Sequence, residues 1–522
     1  MSRALPESVR AILLGRLCLL LAAIASTACG GGDATLGSPP PAPPPPHGER
    51  DAGADRAVSP PPVLTLHTRC QSAVVVGLEW SSLASAARYR VERGGKTLAT
   101  SSATSFSDLT VEPSASYTYA VDALSAEGGV LATAMTSVAT PEATPGGDAP
   151  YCPSALLRSA TWNWSSGYNQ QNGSDLWPST WGADGSTYLF FGDGGGFFGS
   201  NTVGRASFGI ARLTGTTPIV DSTDATNVFG GFSSSHPSTI NGKAGSILAV
   251  GNDFYALGGI YRSGDSGGPA GSPNHYEIVS SKGNAYSWQD TPWNFCSADA
   301  TGLVTQGTFC ATSFVHFGPG NAGAFDDYVY LTAAPVAGWF AGSAPPGPAS
   351  TYMMRAPNDA LTIQSAYTYF AGVDDSGKPI WSASSSDAEP IFSDRNARPM
   401  GLGNIVYNSA LRRFIGPAQG AFVSEAALYE SENPWGPWST VDYENTHPDG
   451  TGGFGDLGST AYAPGHGDTL GINFINAWTS SDGLTMWAVF SSDGDAPASA
   501  LLPGLAGQDM DSFSLVSVTF AL

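Results

Sequence analysis

The chain has 522 residues, of which 42% are hydrophobic and only 13% are charged. Its 22 Lys and Arg against 44 Asp and Glu give a formal net charge of −22 at pH 7. This excess of negative charge repels a phosphate backbone and argues against nucleic acid as a partner. The 65 Gly, 38 Pro and 11% aromatic residues, without long charged helical runs, predict an all-β protein of two or three units.

Residues 1–28 have the pattern of a secretory signal peptide. Arg3, Arg10 and Arg16 precede the apolar run LCLLLAAIA, which is too short to span a membrane. The following STACGGGD resembles a bacterial lipobox, which implies cleavage before Cys29 and lipidation of that residue. Ser26 stands where the motif usually has Leu, so cleavage by the ordinary signal peptidase without lipidation is the alternative. We therefore expect export to the bacterial cell envelope, with the protein either lipid-anchored to the membrane or secreted.

Residues 29–62 predict a linker, because they are rich in Pro and Gly and contain almost nothing to bury. Segments of this composition are extended, semi-rigid spacers. We expect this one to hold the folded part away from a membrane. His47 lies in it and is expected to be solvated.

Residues 63–142 predict a small β-sandwich. Alternating strand patterns in VVVGLEW, YRVERGG, SFSDL and YTYAVDAL are separated by turn residues at the spacing of a sandwich. The segment resembles a fibronectin type III module. The resemblance implies that Trp80 is the core tryptophan, that Tyr89 opens the next strand, and that Tyr117 hydrogen-bonds back to the backbone. It also implies a spacer or binding accessory without a catalytic site.

Four cysteines follow the lipidation site. In an exported protein such cysteines are expected to form disulfides. Cys296 and Cys310 flank a short loop and are the favoured pair, which leaves Cys70 with Cys152 to tie the module to the next domain. A metal site is the competing interpretation, although no CxxC motif or neighbouring His supports it. We predict no metal and no cofactor.

Residues 148–522 repeat a loose unit that consists of an apolar strand, a polar turn and a second strand. Five units follow in order: STYLFFGDGGG with ASFGIARLTG, GNDFYALGGIYR with YEIVSSKGNAYSW, DDYVYLTAA with TYMMRAPNDAL, GNIVYNSALRRFIG with AALYESENPWGPWSTV, and TAYAPGHGDTLGINFINAW with MWAVFSSDG. Their spacing predicts a five-bladed β-propeller. A two-sheet sandwich of the jelly-roll type is the alternative, but the domain is long for it and the units recur in order.

One hairpin of this domain carries two isolated aspartates. The turn ADGS at 183–186 joins LWPSTWG to TYLFFGD, so Asp193 is expected opposite Asp175 or one residue from it. Side chains that face each other across strands have Cβ atoms ~5 Å apart. Cleavage of a glycosidic bond needs two carboxyl groups ~5 to 9 Å apart. The glycines of GDGGGF are expected to leave room for a sugar ring, and capping or turn roles for both aspartates are the alternative.

Several short sequence motifs of the domain also resemble those of a bacterial propeller family known as domain of unknown function 4185. They are SDLW, GDGGGF, FDDYVY, RAPNDAL and NPWGPWS, in this order. Relatives of that family are endo-acting D-arabinanases, glycoside hydrolases that use two aspartates in comparable TDLG and GDT motifs. The resemblance implies Asp175 as the acid/base, Asp193 as the nucleophile and an arabinan-type polysaccharide as the substrate.

Five further residues are candidates for substrate binding. Trp177, Trp181 and Phe197 could stack on sugars, although aromatic residues at alternating positions more often belong to a core. Arg398 and Asn404, in RPMGLGNIVYN, could hydrogen-bond the substrate or only satisfy loop carbonyls.

Asp326 is a third candidate for the catalytic pocket. It lies beside Asp327 before a strand, so one of the two could tune the pocket while the other closes a turn. His236, His316 and His466 are scattered along the chain, and core or surface roles are favoured over metal ligation.

Two classes of function follow from these features. A GxSxG elbow, a Walker loop, an HExxH helix and a Rossmann fingerprint are all missing from the sequence. The first hypothesis is an exported glycoside hydrolase that cleaves an extracellular polysaccharide. The second is a non-catalytic surface protein that binds glycans or proteins, which would need no two acids close together. In both cases we expect a monomer whose membrane contact is limited to the lipid anchor.

Overall fold

The structure is a computed structural model that describes residues 63–144, 148–171, 173–215, 224–260, 274–298, 304–335, 349–394, 403–419, 426–444, 468–493 and 512–522. The predictions for residues 1–62, which include Cys29 and His47, lie outside these ranges, as do Arg398 and His466. The regular secondary structure of the described residues is almost entirely β-strand, with short 3-10 helices at Pro319–Asn321, Gln364–Ala366, Ser385–Asp387 and Asn476–Trp478. Within the described ranges no helix is long and apolar enough to cross a membrane.

Seven strands make up the first domain. They are β1 (Leu66–Gln71), β2 (Val76–Trp80), β3 (Arg88–Arg93), β4 (Lys96–Ser101), β5 (Ser105–Asp108), β6 (Ser116–Leu124) and β7 (Val130–Ala139). One sheet has the order β1-β2-β5 and the other β4-β3-β6-β7. Trp80 and Tyr89 are buried in their common core with ring centroids 5.7 Å apart. The hydroxyl of Tyr117 accepts a hydrogen bond of 2.8 Å from the N–H of Glu112.

The second domain begins with β8 (Ser159–Gln171), and its next strands form two antiparallel sheets. Sheet 1 contains β9 (Ser179–Trp181), β10 (Thr187–Phe191), β11 (Gly209–Leu213) and β12 (Ala225–Phe229). Sheet 2 contains β13 (Gly242–Val250), β14 (Asp253–Ile260), β15 (Asn274–Ser281), β16 (Trp288–Asp290), β17 (Cys296–Ala298) and β18 (Val304–Gly307).

Three more sheets follow in chain order. Sheet 3 contains β19 (Cys310–Phe314), β20 (Tyr328–Ala334), β21 (Ala349–Pro357), β22 (Thr368–Val373), β23 (Pro379–Ser382) and β24 (Phe392–Asp394). Sheet 4 contains β25 (Val406–Asn408), β26 (Arg413–Gln419), β27 (Ala426–Ser431) and β28 (Ser439–Glu444). Sheet 5 contains β29 (Asp468–Phe474), β30 (Thr485–Asp493), β31 (Ser512–Ala521) and, at its outer edge, β8.

Each of the five predicted units supplies strands to a different sheet, so a two-sheet sandwich does not fit the described residues. The pairing of β8 with β31 joins the start of this domain to its end, from Ser159 opposite Ala521 to Gln171 opposite Ser512. The pairing of β8 with β31 satisfies the backbone N–H and C=O groups on one side of each strand, which would otherwise be left unpaired at a sheet edge.

The first strands of the sheets lie next to one another. The hydroxyl of Ser179 in β9 donates to the carbonyl oxygen of Phe474 in β29 at 3.3 Å. On the other side of β9, Thr180 accepts a hydrogen bond of 2.9 Å from the N–H of Ala249 in β13. Sheets 5, 1 and 2 therefore meet along β29, β9 and β13.

The same arrangement continues through sheets 3 and 4. Ser246 in β13 accepts a hydrogen bond of 3.1 Å from the N–H of Phe314 in β19. A parallel bridge then joins His316, just after β19, to Val406 in β25. With the asparagine contact between sheets 4 and 5 described below, the five first strands form a closed ring.

The ring has two different ends because successive strands of each sheet run in opposite directions. We call the end at which first strands begin the entry end, and the end at which turns lead to second strands the turn end. The turn at 183–186 and the turns after β13 and β19 share the turn end, where the N–H of Gly251 donates to the oxygen of Gly320 at 2.9 Å. Residues just before a first strand and just after a second strand belong to the entry end.

Both disulfide pairs expected from the spacing of the cysteines are present. Cys296 and Cys310 have Cα atoms 5.1 Å apart. Cys70 and Cys152, with Cα atoms 5.7 Å apart, link β1 of the first domain to the start of the second.

Candidate functional site

The hairpin places its two aspartates on adjacent rungs at the entry end. The N–H of Asp175 donates to the oxygen of Gly192 at 3.0 Å, and the N–H of Gly192 donates to the oxygen of Asp175 at 3.3 Å. Asp193 therefore lies one residue past the partner of Asp175, as the turn at 183–186 predicts. The register follows from the tight turn, which pairs Thr187 with Trp181.

At two glycines of GDGGGF, neighbouring protein atoms leave no room for a side chain. A Cβ atom on Gly192 would lie 2.9 Å from Oδ1 of Asp175, and one on Gly194 would lie 2.1 Å from the oxygen of Gly173. Such distances are shorter than side chains tolerate. The expectation that these glycines make room for a sugar is therefore wrong at both positions, because protein atoms already occupy the space.

The Asp193 carboxylate is held by two cations. It forms an ion pair with Lys243 at the start of β13, and its Oδ1 lies 3.7 Å from Nη2 of Arg205. Arg205 also donates to the backbone oxygen of Asp193. The side chains of Asp193 and Lys243 are each only 19% exposed, so solvent screens this pair weakly. Two cations beside one carboxylate stabilise its negative charge.

Left-handed backbone is concentrated around these aspartates. Leu176 has φ of 82°, Trp177 and Asp193 each have φ of 55°, and Asn404 has φ of 36°. Positive φ is uncommon in residues other than glycine and costs roughly 1–3 kcal/mol per residue. Strain of this kind persists only where packing or hydrogen bonds fix the conformation, and it is frequent at functional sites.

Buried amides connect the entry end of sheet 4 to the hairpin. The N–H of Asn404 donates to Oγ of Ser313 at 3.0 Å, and its side-chain amide donates to Oδ1 of Asn473 in β29. The amide of Asn473 in turn donates to the oxygen of Leu176 at 3.1 Å. Both asparagines are buried. Asn404, predicted to bind substrate, is thus linked through one side chain to the residue that follows Asp175.

The predicted sugar-stacking residues lie elsewhere. Trp177 and Phe197 are fully buried, with ring centroids 5.2 Å apart, and Trp177 also packs at 5.0 Å against Phe513. Stacking on a sugar needs an exposed ring face, so that expectation is wrong for both residues, and the core interpretation holds. Trp181 is half-buried beside the turn at 183–186, at the end of the ring opposite Asp175.

Asp326 also lies away from the hairpin aspartates. It precedes β20, a second strand, and therefore belongs to the turn end. Its Oδ2 accepts a hydrogen bond of 2.6 Å from the hydroxyl of Tyr330 and lies 3.5 Å from Nη1 of Arg355. Burial and the hydrogen bond to Asp326 raise the pKa of Tyr330. The structure thus gives Asp326 local partners and separates it from Asp175 and Asp193.

Two of the histidines that the structure describes in this domain, His236 and His316, have structural surroundings. His236 is half-buried and stacks on Tyr286 with ring centroids 4.1 Å apart. His316 is buried in the ring, where desolvation lowers its pKa to about 4. Across the described ranges no three His, Cys, Asp or Glu side chains come together as a metal site.

Sequence reasoning missed Lys243 and Arg205. A usable signal existed, because the chain has only 22 Lys and Arg in 522 residues. Lys243 stands at the start of the apolar strand GKAGSILAV, where a cation needs a nearby partner. Its partner comes from the neighbouring sheet, which a hairpin pattern alone does not reveal.

Comparison with known proteins leaves the family of the chain open. No family model and no curated protein matches it. The resemblance to the propeller family and to a fibronectin type III module therefore stays a prediction.

Solved structures with similar parts include glycoside hydrolases. A GH43_1 enzyme from Xanthomonas citri is 9% identical, and the match covers 68% of this chain and 91% of that enzyme at a TM-score of 0.38. RS223 β-xylosidase is 10% identical over 68% of this chain and 94% of its own, at 0.36. A family 28 exopolygalacturonase from Yersinia enterocolitica is 16% identical over 16% of this chain at 0.14, and only 20% of its length is covered. We draw no functional conclusion from similarities of this size.

Proposed function

We propose that residues 148–522 form a closed five-bladed β-propeller and that residues 63–142 form a fibronectin type III-like module. The support for the propeller is the ring of first strands and the closure of sheet 5 by β8. The support for the module is its two-sheet strand order and the hydrogen bond between Tyr117 and Glu112. In a propeller the first strands surround the central axis, so the entry end is one mouth of that axis.

We further propose that the domain is a glycoside hydrolase with Asp175 and Asp193 as its catalytic residues. The observation that carries this is the backbone pairing of Asp175 with Gly192, which sets Asp175 and Asp193 on adjacent rungs at one mouth of the ring. Asp193, beside Lys243 and Arg205, is suited to be the ionised member. Asp175 then protonates the leaving oxygen of the glycosidic bond, while Asp193 attacks the anomeric carbon or activates water.

The substrate of this activity is an extracellular polysaccharide, and an arabinan-type glycan is the first choice because of the motif resemblance. The signal pattern of residues 1–28, with Cys29, supports a location in the bacterial cell envelope, where the protein is anchored by a lipid or secreted. We propose that it acts as a monomer. The module and the linker at 29–62 would set the distance between the catalytic domain and the membrane.

Paired substitutions test the assignment. Asp175→Asn and Asp193→Asn keep side-chain size and remove the acid-base chemistry, so release of new reducing ends should fall by ~10² or more for each. Asp326→Asn is the matched control, because the same change at the turn end should leave hydrolysis intact. Purified full-length proteins are incubated with a panel of bacterial and plant polysaccharides, and their melting temperatures are recorded. Unchanged hydrolysis in both Asp175→Asn and Asp193→Asn rules out this catalytic pair.

A non-catalytic glycan-binding role is the second candidate. The observation that favours it is the pairing of Asp193 with Lys243 and Arg205, which is also what a structural ion pair requires. In that case the wild-type protein binds glycans without releasing reducing ends. Asp193→Asn then lowers the melting temperature, because Lys243, which is only 19% exposed, loses its ion pair, whereas Arg205 keeps its hydrogen bond to the backbone oxygen of residue 193.

A further inference from the structure

Aromatic rings that are partly open to solvent lie side by side at the turn end, between sheets 3 and 4. Trp381 in β23 and Trp435 between β27 and β28 are half-buried, with ring centroids 6.2 Å apart. Phe325, which is 60% exposed, lies 4.9 Å from the ring of half-buried Tyr407 in β25. We call the following five rings the aromatic surface: Phe325, Tyr328, Trp381, Tyr407 and Trp435.

Buried rings beneath this surface join its parts. The ring of Tyr330 lies 5.7 Å from that of Trp381 and 6.2 Å from that of Trp435. The ring of Phe317 lies 6.1 Å from that of Tyr330 and 5.4 Å from that of Phe325. Because this buried layer already holds the outer rings in place, a ligand that binds to them loses little further side-chain entropy.

The charged groups at the aromatic surface pair with each other. The guanidinium of Arg355 lies between two rings, 3.9 Å from the centroid of Tyr328 and 4.1 Å from that of Trp381. Its Nη1 lies 3.5 Å from Oδ2 of Asp326. A ligand without charge leaves this ion pair intact, whereas a charged ligand would compete with one of its members. The surface therefore favours an apolar, uncharged ligand.

The chain itself contains a segment of this chemistry. Residues 38–46 read SPPPAPPPP, with seven prolines and no charged residue. Proline-rich segments bind to aromatic-lined surfaces because their polyproline II helix is preformed and loses little entropy on binding. Their apolar rings pack against the faces of the aromatic side chains.

This segment is long enough to reach the aromatic surface of its own chain. Residues 47–62 separate it from Val63, the first residue that the structure describes, and span ~50 Å at ~3.1 Å per residue. The first domain is tied close to the surface, because Cys70 is bonded to Cys152. The neighbouring Tyr151 packs in the same hydrophobic cluster as four rings of the aromatic surface.

We propose that the aromatic surface binds residues 38–46 of the same chain. This inference goes beyond the proposed function and does not depend on hydrolysis. Once 38–46 is bound, only residues 29–37 separate Cys29 from the surface, a reach of at most ~30 Å. With the lipid anchor proposed above, the turn end then faces the membrane, and the entry end with Asp175 faces away from it.

Competition with a free peptide tests this docking. A fluorescent peptide of sequence SPPPAPPPP is titrated into two full-length proteins, and its anisotropy is measured. Both proteins carry Cys29→Ser, so neither is lipid-anchored, and in one of them the seven prolines of 38–46 are replaced by serine. A tethered segment has an effective concentration in the millimolar range, so a peptide with a Kd of ~0.1 mM should bind about 10-fold more weakly to the protein that keeps its prolines.

Substitutions in the aromatic surface locate the peptide site. In the serine-substituted protein, Trp435→Ala and Tyr328→Ala should each weaken peptide binding at least ~5-fold, because each removes a ring that contacts the prolines. Trp181→Ala in sheet 1 and Tyr286→Ala after β15 are the matched controls, and they should leave binding unchanged. Melting temperatures identify any variant that is not folded, and two surface variants allow the test to stand on either one. Unchanged peptide binding in the folded surface variants overturns the proposal.

A photoreactive residue shows which chain supplies the segment. Ala42→p-benzoylphenylalanine should cross-link within one chain to peptides of the aromatic surface, identified by mass spectrometry, whereas Ala54→p-benzoylphenylalanine should not. Cross-links between two chains would assign the surface to a second copy, and equal peptide affinity with and without the prolines would assign it to another partner. Either result overturns docking within the chain, as does a lack of peptide binding to the serine-substituted protein. Reducing-end release tests the proposed function separately, and we expect replacement of the prolines to leave it unchanged.

Discussion

The buried imidazole of His316 makes the stability of the ring depend on pH. His316 is 4% exposed, and desolvation lowers its pKa from the ordinary 6.5 to about 4. The folded protein therefore keeps this histidine neutral at pH values where the unfolded chain already binds a proton. Protonation then favours the unfolded state, so the stability associated with neutral His316 is complete above pH 6.5 and is lost as the pH falls towards 4.

The size of the effect follows from the two pKa values. For a histidine of pKa 6.5 in the unfolded chain and about 4 in the folded protein, the free energy of unfolding falls by roughly 2–3 kcal/mol between pH 7.5 and pH 4.5. The complete loss, reached below both pKa values, is roughly 3 kcal/mol. Either figure is a large fraction of the stability of a typical domain.

The variant His316→Phe isolates the contribution of His316 protonation to the free energy of unfolding, because phenylalanine keeps an aromatic ring and does not titrate. Urea unfolding of the wild type and the variant is followed by tryptophan fluorescence at pH 7.5 and 4.5, with the disulfides intact. Carboxyl groups titrate in both proteins and cancel in the comparison, as does any constant packing cost of the substitution. The wild type should lose roughly 2–3 kcal/mol more than the variant. Parallel losses in the two proteins would refute the argument.

The structure also predicts the effect of three further substitutions on stability. Trp177→Ala should lower the free energy of unfolding by ~3–5 kcal/mol in denaturant titration, because it empties a fully buried aromatic site. Asp326→Asn should lower thermal stability by the equivalent of ~1 kcal/mol, through its weakened hydrogen bond with Tyr330, while hydrolysis stays constant. Replacing Cys70 and Cys152 by Ser opens a link between residues 82 apart and should destabilise the first domain by roughly 4 kcal/mol in calorimetry.

The local part of the site could be predicted from the sequence because short-range rules determine it. A two-stranded hairpin with a tight turn fixes its own register, and the turn at 183–186 was enough to bring Asp175 within one residue of Asp193. The disulfide pair Cys296–Cys310 was equally local, with a separation of 14 residues.

The remaining features depend on contacts between sheets, or on whether a residue precedes the first or the second strand of its sheet. Lys243 reaches Asp193 only because β13 lies beside β9, and nothing in the hairpin itself specifies that neighbour. Asp326 was assigned to the same pocket, yet it precedes a second strand whereas Asp175 precedes a first strand. In sheets whose strands alternate in direction, this difference places the two residues at opposite ends of the ring.

The position of Trp177 shows why alternation failed as a guide at this site. In a regular strand, residues 175 and 177 would face the same side, so a tryptophan two residues after a catalytic aspartate would be a natural sugar platform. Leu176 and Trp177 instead adopt positive φ, which breaks the alternation and turns the indole into the core against Phe513. Glycine at either position would relieve the backbone strain but would remove buried side chains. The strained pair therefore fills two cores, because Trp177 packs between sheets 1 and 5 and Leu176 packs in the core of sheets 1 and 2. It also leaves Asp175 paired with Gly192 at the entry end of the ring.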